Sequence, residues 1–194
     1  MLLSLTGASG AGKSTVLARL RGIDWGASVE CVEFDSIGVP SGADTAWRHA
    51  AIETWVQHAV LAQGEGRHLL LCGQVPFGEL LAAPSTPLLN GVAACVLHCS
   101  PDVRVARLRL RGEPEDSLVH YVRFGEWFLR HSQDPAYAPD VIRVDDGVPM
   151  EWSRWEDWQS GDPRWDAHII DTDGKSPDAV ATDVEAWVRR KLAT

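Results

Sequence analysis

The chain has 194 residues, of which 45% are hydrophobic, and its formal net charge is −9. This length and apolar content predict one α/β domain with its own core, large enough to carry an insertion. The negative charge argues against nucleic acid or an anionic membrane as a partner and favours a small, locally bound ligand, although the same acidity would also serve solubility alone.

The four cysteines, Cys31, Cys72, Cys95 and Cys99, lie in or beside apolar runs and form no Cys-x-x-Cys pair. We therefore expect buried, reduced thiols rather than a metal site. Because the first strand-like run begins at Leu2, we expect no signal peptide, and no apolar stretch has the length of a membrane span. A cytoplasmic protein is the expectation.

A predicted strand at 2–6 is followed by a glycine-rich loop and an amphipathic helix at 13–21. The loop and the first helical turn match the phosphate-binding pattern G-x-x-x-x-G-K-[ST] at every fixed position. They comprise Gly7, Ala8, Ser9, Gly10, Ala11, Gly12, Lys13, Ser14 and Thr15. Such a loop turns backbone N–H groups towards a phosphate at a helix N-terminus. We predict that Lys13 reaches the β- and γ-phosphates of ATP and that the Ser14 hydroxyl holds Mg²⁺.

The second predicted strand, Val29–Asp35, ends at the carboxyl edge of the sheet, where open α/β sheets bind ligands. Asp35 is our candidate for the general base that accepts a proton from an attacking hydroxyl, or else it only caps the following turn. By strand alternation Glu33 points to the same face, where it would hold Mg²⁺ or line a solvated cleft. A helix is predicted over Ala43–Gln63, and Arg48 near its start is a candidate for binding an anionic group of a phosphoryl acceptor.

The third predicted strand, His68–Cys72, is almost continuously apolar, as is typical of a strand buried on both faces of a parallel sheet. Gly73 and Gln74 follow it at the carboxyl edge. Gly73 permits close approach of a ligand and Gln74 offers a donor and an acceptor, so both are candidates for binding the acceptor molecule, the alternative being a plain turn. No Asp ends this strand, which argues against a mechanochemical ATPase. A short helix is predicted at 77–82.

The fourth predicted strand, Val92–His98, leads into a predicted helix over Pro101–Arg111. Four arginines fall on this helix: Arg104, Arg107, Arg109 and Arg111. Arg107 and Arg111 are spaced i,i+4 and share a face. One guanidinium can stack on adenine and a second can neutralise the transferred phosphoryl group, whereas the alternative is a solvated basic helix.

Residues 112–165 interrupt the alternation of strands and helices, and we interpret them as a lid-like subdomain inserted into a single domain that spans 1–194. A helix is predicted near 115–131 and a short one near 150–159. Five of the nine tryptophans lie here: Trp127, Trp152, Trp155, Trp158 and Trp165. Those at 152, 155 and 158 recur every three residues and predict a small core of the insert. Four further side chains have no predicted place in the site: Tyr121, Arg123, Arg130 and Arg143.

A fifth strand, His168–Asp171, and a closing helix, Pro177–Leu192, complete the pattern, which predicts a parallel sheet with helices on both sides. Asp171 and Thr172 are candidates for presenting backbone groups to an adenine edge. A simple strand-to-helix turn is the alternative.

These motifs together resemble the small-molecule kinases of the P-loop superfamily, the shikimate, gluconate and adenylate kinase-like group. The resemblance covers 1–111 and 168–192 and rests on five short segments: GASGAGKST at 7–15, EFD at 33–35, Gly73, RLRLR at 107–111 and IDT at 170–172. It implies a three-layer α/β/α fold with a five-stranded sheet of order 2-3-1-4-5, and ATP and Mg²⁺ as cofactors. It also implies that Arg107 stacks on adenine and Arg111 contacts phosphate, and that Glu33, an Asp in the shikimate kinases, serves the metal.

We therefore expect an ATP-dependent phosphotransferase that acts on a hydroxyl or phosphate of a small molecule, with Lys13, Asp35 and Arg111 as its catalytic residues. Two alternatives remain open at this point. One is a nucleoside or nucleotide kinase. The other is a nucleotide-dependent binding or regulatory protein that uses the clustered aromatic residues as a partner surface. The sequence does not indicate an oligomeric state.

Overall fold

A single five-stranded parallel sheet organises the computed structural model, which describes residues 1–193. The strands are β1 (Leu2–Thr6), β2 (Val29–Glu33), β3 (His68–Cys72), β4 (Val92–His98) and β5 (Ala167–Asp171). Their order across the sheet is β2-β3-β1-β4-β5. The parallel sheet confirms the prediction from the alternation of strands and helices, and the strand order confirms what the family resemblance implies.

Within residues 1–193, six α-helices connect or follow the strands. They are α1 (Lys13–Leu20), α2 (Thr45–Gly64), α3 (Phe77–Ala82), α4 (Pro101–Leu110), α5 (Glu115–Gln133) and α6 (Pro177–Leu192). Helix α2 begins at Thr45, two residues later than predicted, because the Asp44 side chain caps it by accepting a hydrogen bond from the Trp47 backbone N–H at 2.8 Å. Among residues 1–193, no helix has both the length and the apolarity needed to cross a membrane.

At two places the structure has a 3₁₀ turn where the sequence predicted a different element. Strand β2 ends at Glu33, its last residue paired with β3, and Phe34–Ile37 form a 3₁₀ turn, so Glu33 and Asp35 do not alternate along one strand. A hydrogen bond stabilises this turn: the Ser36 hydroxyl donates to the Glu33 carbonyl oxygen at 2.6 Å. The short helix predicted near 150–159 is likewise only a 3₁₀ turn at Trp152–Arg154.

Side chains of each strand alternate between two hydrophobic clusters, one on each face of the sheet. Leu2 and Leu69 belong to the cluster beneath α2, α3 and α5, whereas Leu3 and Leu70 belong to the cluster beneath α1 and α6. The layers are therefore helix, sheet and helix. All four cysteines are free thiols, and three of them are buried.

The tryptophans of residues 112–165 pack into the main core. Trp127, Trp155 and Trp165 share one cluster with the sheet residues on the α2 face, which shows that the prediction of a separate small core was wrong. Trp155 is 1% exposed, and its indole N–H donates to the Gly78 carbonyl oxygen at 2.8 Å. A Cβ at Gly78 would lie 2.7 Å from the Trp155 ring, so only glycine admits this contact. Lid-like movement of the segment stays a prediction.

Candidate functional site

The glycine-rich loop lies at the carboxyl edge of the sheet, between β1 and α1, as its sequence predicts. Gly7 has a φ of +141°, and a Cβ there would lie 2.3 Å from the Leu97 carbonyl oxygen, so the loop packs directly against β4. Gly12 has a φ of +94° and provides no side-chain cap to α1. The N–H groups at the start of α1 are therefore free to bind an anion.

Ser9, within this loop, is held from two sides. The Gln74 amide oxygen accepts hydrogen bonds from the Ser9 backbone N–H at 3.2 Å and from its hydroxyl at 3.3 Å. Arg104 donates from the other side to the Ser9 carbonyl oxygen. This guanidinium is buried and fits against Gly125, where a Cβ would lie 2.5 Å from Arg104 Cζ. Arg104 therefore shapes the loop and has no free face for a nucleotide.

Lys13 lies inside the loop, with its Nζ donating to the Ala8 carbonyl oxygen at 3.2 Å. Burial lowers the pKa of Lys13 from 10.5 to about 8, because desolvation disfavours the charged form. The nearby Arg104 and Arg111 charges lower this pKa further, whereas Asp35 raises it. A bound phosphate would supply an anionic partner for this half-buried ammonium group.

A cavity of about 720 Å³ lies over the loop. Most of the predicted site residues line it: Ser9, Gly10, Ala11, Gly12, Lys13, Ser14, Thr15, Glu33, Asp35, Gly73, Gln74, Arg107, Arg111 and Thr172. Four predicted residues do not line it: Gly7, Ala8, Arg48 and Asp171. Gly7 and Ala8 are buried beneath the loop, and Asp171 is exposed, its carboxylate accepting from the Asp173 N–H at 3.0 Å. Several residues that were not predicted do line it: Val16, Cys72, Leu108, Lys175, Pro177 and Val180.

Arg107 and Arg111 both reach this cavity from the end of α4. Arg107 donates to the Gly10 carbonyl oxygen at 3.2 Å and to the Thr172 hydroxyl at 3.0 Å, which ties the loop to the end of β5. Arg111 pairs with Glu113 at 2.9 Å, and the Tyr121 hydroxyl donates to the same carboxylate at 3.0 Å. The helix therefore presents two guanidinium groups to one cavity.

Arg109, Arg130 and Arg143 have partners elsewhere. Arg109 pairs with Glu115 on the surface at 2.7 Å. Arg130 donates to the Tyr137 hydroxyl at 3.1 Å, and the Arg143 guanidinium lies over the rings of Trp152 and Trp155. None of these residues lines the cavity over the loop, and neither does Arg123.

A second cavity of about 410 Å³ lies between the loop and the start of α2. Its lining residues are Ser9, Phe34, Asp35, Ala43, Asp44, Thr45, Trp47, Arg48 and Gln74. Three of them, Ser9, Asp35 and Gln74, line both cavities. The two cavities therefore meet at Asp35.

Tertiary contacts hold Asp35 at this junction. The Trp55 indole N–H donates to the Phe34 carbonyl oxygen at 3.0 Å. Gly73 lies directly against the same residue, because a Cβ there would come within 2.3 Å of Phe34 Cβ. Gly73 thus serves close packing beside the ligand cavity, which is a role that the sequence did not indicate.

The Arg48 guanidinium lines the second cavity but is engaged within the protein. It donates from Nε and Nη2 to the Glu79 carboxylate at 2.5–3.0 Å. Glu79 is completely buried, and His49 Nε2 lies 3.3 Å from the same carboxylate. Sequence reasoning missed Glu79 because the residue lies 31 positions from Arg48.

Oxygen donors for a magnesium ion line the cavity over the loop. They are the Ser14 hydroxyl and the carboxylates of Glu33 and Asp35. Residues 1–193 contain no group of three His, Cys, Asp or Glu side chains placed to hold a metal by themselves. This donor set fits Mg²⁺, which proteins commonly bind through one or two carboxylates together with the phosphates of a substrate. Glu33 also lies 3.6 Å from Arg21 Nη2.

Solved structures share this fold over nearly the whole chain. A sugar kinase from Janibacter sp. superposes with a TM-score of 0.58 at 14% identity, covering 96% of this chain and 93% of that chain. The APS kinase of Mycobacterium tuberculosis, solved in complex with AMPPNP and APS, superposes with a TM-score of 0.55 at 18% identity, covering 94% of each chain. The chain therefore shares the fold of these two kinases. Neither a family model nor a curated protein matches the chain.

Proposed function

We propose that this P-loop protein transfers the γ-phosphoryl group of ATP to a hydroxyl group of a small molecule. The observation that carries the proposal is the meeting of two cavities at Asp35, one over the phosphate loop and one beside α2. A transferase needs such a pair of sites, because donor and acceptor must be held in line across the transferred group. The similarity in fold to a kinase that was solved with AMPPNP and APS supports this assignment.

The nucleotide would lie along the first cavity. Its phosphates would accept hydrogen bonds from the backbone N–H groups of the loop and from Lys13, and its base would lie against the Arg107 guanidinium. Arg111 would approach the phosphates from the end of α4. Mg²⁺, held by the Ser14 hydroxyl with Glu33 acting through water, would neutralise charge on the β- and γ-phosphates.

The acceptor would occupy the second cavity with its hydroxyl against Asp35. The Asp35 carboxylate would take the hydroxyl proton as the acceptor oxygen forms a bond to the γ-phosphorus, while the bond from that phosphorus to the bridging oxygen breaks and ADP leaves. Gln74 would orient the acceptor from the opposite wall. Lys13 and Arg111 would stabilise the charge on the transferred group.

The test follows radioactive γ-phosphate from ATP into panels of sugars, amino alcohols, hydroxy acids and nucleosides. The proposal expects label in an organic product with the natural protein and none with Lys13→Ala, whose fold is verified by circular dichroism. Transfer only to nucleosides would identify a nucleoside kinase. Transfer that survived in Lys13→Ala, or slow ATP hydrolysis that no small molecule stimulated, would overturn the mechanism, and the second result would favour a nucleotide-dependent binding protein.

A further inference from the structure

The charges that line the second cavity limit which phosphoryl acceptors it could bind. Two carboxylates, those of Asp35 and Asp44, line it, and Arg48 is the one cationic side chain among its lining residues in the described chain. The net charge of the wall therefore depends on whether the Arg48 charge is available to a ligand.

The Arg48 charge is already compensated from inside the protein. Its guanidinium binds both oxygens of Glu79, whose side chain is 0% exposed, while the Arg48 side chain is 16% exposed. Withdrawing Arg48 would leave a buried carboxylate with only His49 beside it, which is strongly unfavourable. An anionic ligand would therefore have to compete with Glu79 for this guanidinium. The wall that remains is net negative.

Asp44 adds a carboxylate to the wall of the second cavity. This carboxylate has no proposed role in holding Mg²⁺ or in accepting the hydroxyl proton. Its Oδ1 caps α2 by accepting from the Trp47 N–H, and its second oxygen has no hydrogen-bond partner in the described chain. Trp47 and Phe34 form an aromatic wall beside it, with ring centroids 5.9 Å apart in an edge-to-face arrangement. Aromatic faces attract cations and pack against the C–H groups of polyols.

From this wall we infer that the acceptor is a neutral or cationic hydroxyl compound, such as a polyol or an amino-polyol, and carries no carboxylate, sulfate or phosphate group. The inference rests on the proposed function, because it assigns the acceptor to the cavity beside Asp35. It reverses the sequence-based expectation that Arg48 binds an anionic group.

The test measures binding by calorimetry to the protein saturated with AMPPNP and Mg²⁺. Three sets of ligands share one carbon skeleton: neutral hexoses, the corresponding amino sugars, and the corresponding sugar acids. Amino sugars should bind at least about tenfold more tightly than sugar acids, since the two differ by two unit charges beside the same carboxylates. Tighter binding of the sugar acids, or no binding of any neutral or amino member, would overturn the inference.

Asp44→Asn provides the matched variant, since asparagine caps a helix as well as aspartate does. It should reduce the amino-to-acid affinity ratio by roughly threefold or more, because one carboxylate charge is lost. Asp102→Asn, an exposed residue in the first turn of α4 that lines neither cavity, is the control and should leave the ratio unchanged. An unaltered ratio in Asp44→Asn would also overturn the inference.

Failure of this inference and failure of the proposed function are distinguishable by following label transfer with the same ligands. Amino sugars that bind but receive no phosphate from ATP would leave the charge assignment intact and overturn the transfer. A sugar acid that is phosphorylated in preference to its amino counterpart would uphold the transfer and overturn the charge assignment.

Discussion

The Gln74 side-chain oxygen accepts two hydrogen bonds from Ser9, one from its backbone N–H at 3.2 Å and one from its hydroxyl at 3.3 Å. Ser9 belongs to the phosphate loop, whereas Gln74 follows β3 and lines both cavities. The shape of the loop therefore depends on a residue that an acceptor would touch. This contact provides a direct physical link between the two proposed binding sites.

Removal of that link should weaken nucleotide binding. Gln74→Ala leaves the Ser9 N–H without its partner, and a net loss of about 1 kcal/mol corresponds to a roughly fivefold rise in the Kd for ATP. Gln63→Ala is the control, since its amide bonds to Leu88 and Asn90, near the start of β4 and away from both cavities. Fluorescence titration with a labelled ATP analogue measures both, and equal Kd values would contradict the proposed role of Gln74.

The half-buried Lys13 makes nucleotide binding depend on pH. Its pKa of about 8 in the free protein means that Lys13 loses its proton as the pH rises through that value, and ATP binding must then restore the proton. The affinity for ATP should therefore be level below about pH 7 and fall by up to about tenfold per pH unit above 8. Lys13→Met should bind weakly with no such slope. A flat profile for the natural protein would contradict the assignment.

The stability of the ligand-free protein should increase with pH, whereas its affinity for ATP decreases. Because the pKa of Lys13 is lowered from 10.5 to about 8 on folding, the unfolded chain holds this proton more tightly than the folded chain does between those values. The contribution of Lys13 to the free energy of unfolding therefore rises with pH from about 8 to 10.5 and is constant below that window. Urea denaturation at several pH values gives the free energy of unfolding of the natural protein and of Lys13→Met. The difference between the two isolates the contribution of Lys13.

Close packing at Gly73 should be intolerant of a single methyl group. Gly73→Ala would place a Cβ 2.3 Å from Phe34 Cβ, which displaces the turn that carries Asp35. We expect a loss of about 1–3 kcal/mol in the free energy of unfolding together with a fall in phosphoryl transfer. Gly64→Ala, at the end of α2 with nothing within 4 Å of the added Cβ, should retain full stability. Unfolding curves that coincided for the two variants would rule out this packing constraint.

Local patterns in the sequence were sufficient for the parallel sheet and the phosphate loop, whereas the strand order followed only from the family resemblance. The loop, the strand runs and the pair Arg107 and Arg111 are each defined within about ten residues, where spacing determines the geometry. These features are also the ones that led to the resemblance in fold, which the solved structures confirm.

Long-range contacts explain what the sequence did not reveal. The end of β2 depends on Trp55, which lies 21 residues from its partner Phe34, and the burial of Trp155 depends on Gly78, which lies 77 residues away. No periodicity connects such positions. The same limitation applied to Arg104, whose hydrogen bond to the Ser9 carbonyl oxygen joins positions 95 residues apart.

Comparison of Asp35→Asn with the natural protein tests whether the junction of the two cavities is the site of phosphoryl transfer. Asparagine keeps the size of the side chain but does not accept the hydroxyl proton, so kcat with the identified acceptor should fall by at least about 100-fold. The Kd for ATP, measured on the same preparations, should change by less than about threefold. An Asp35→Asn protein that turned over at the natural rate, or that lost ATP binding without a separate loss in kcat, would contradict a general base at this position.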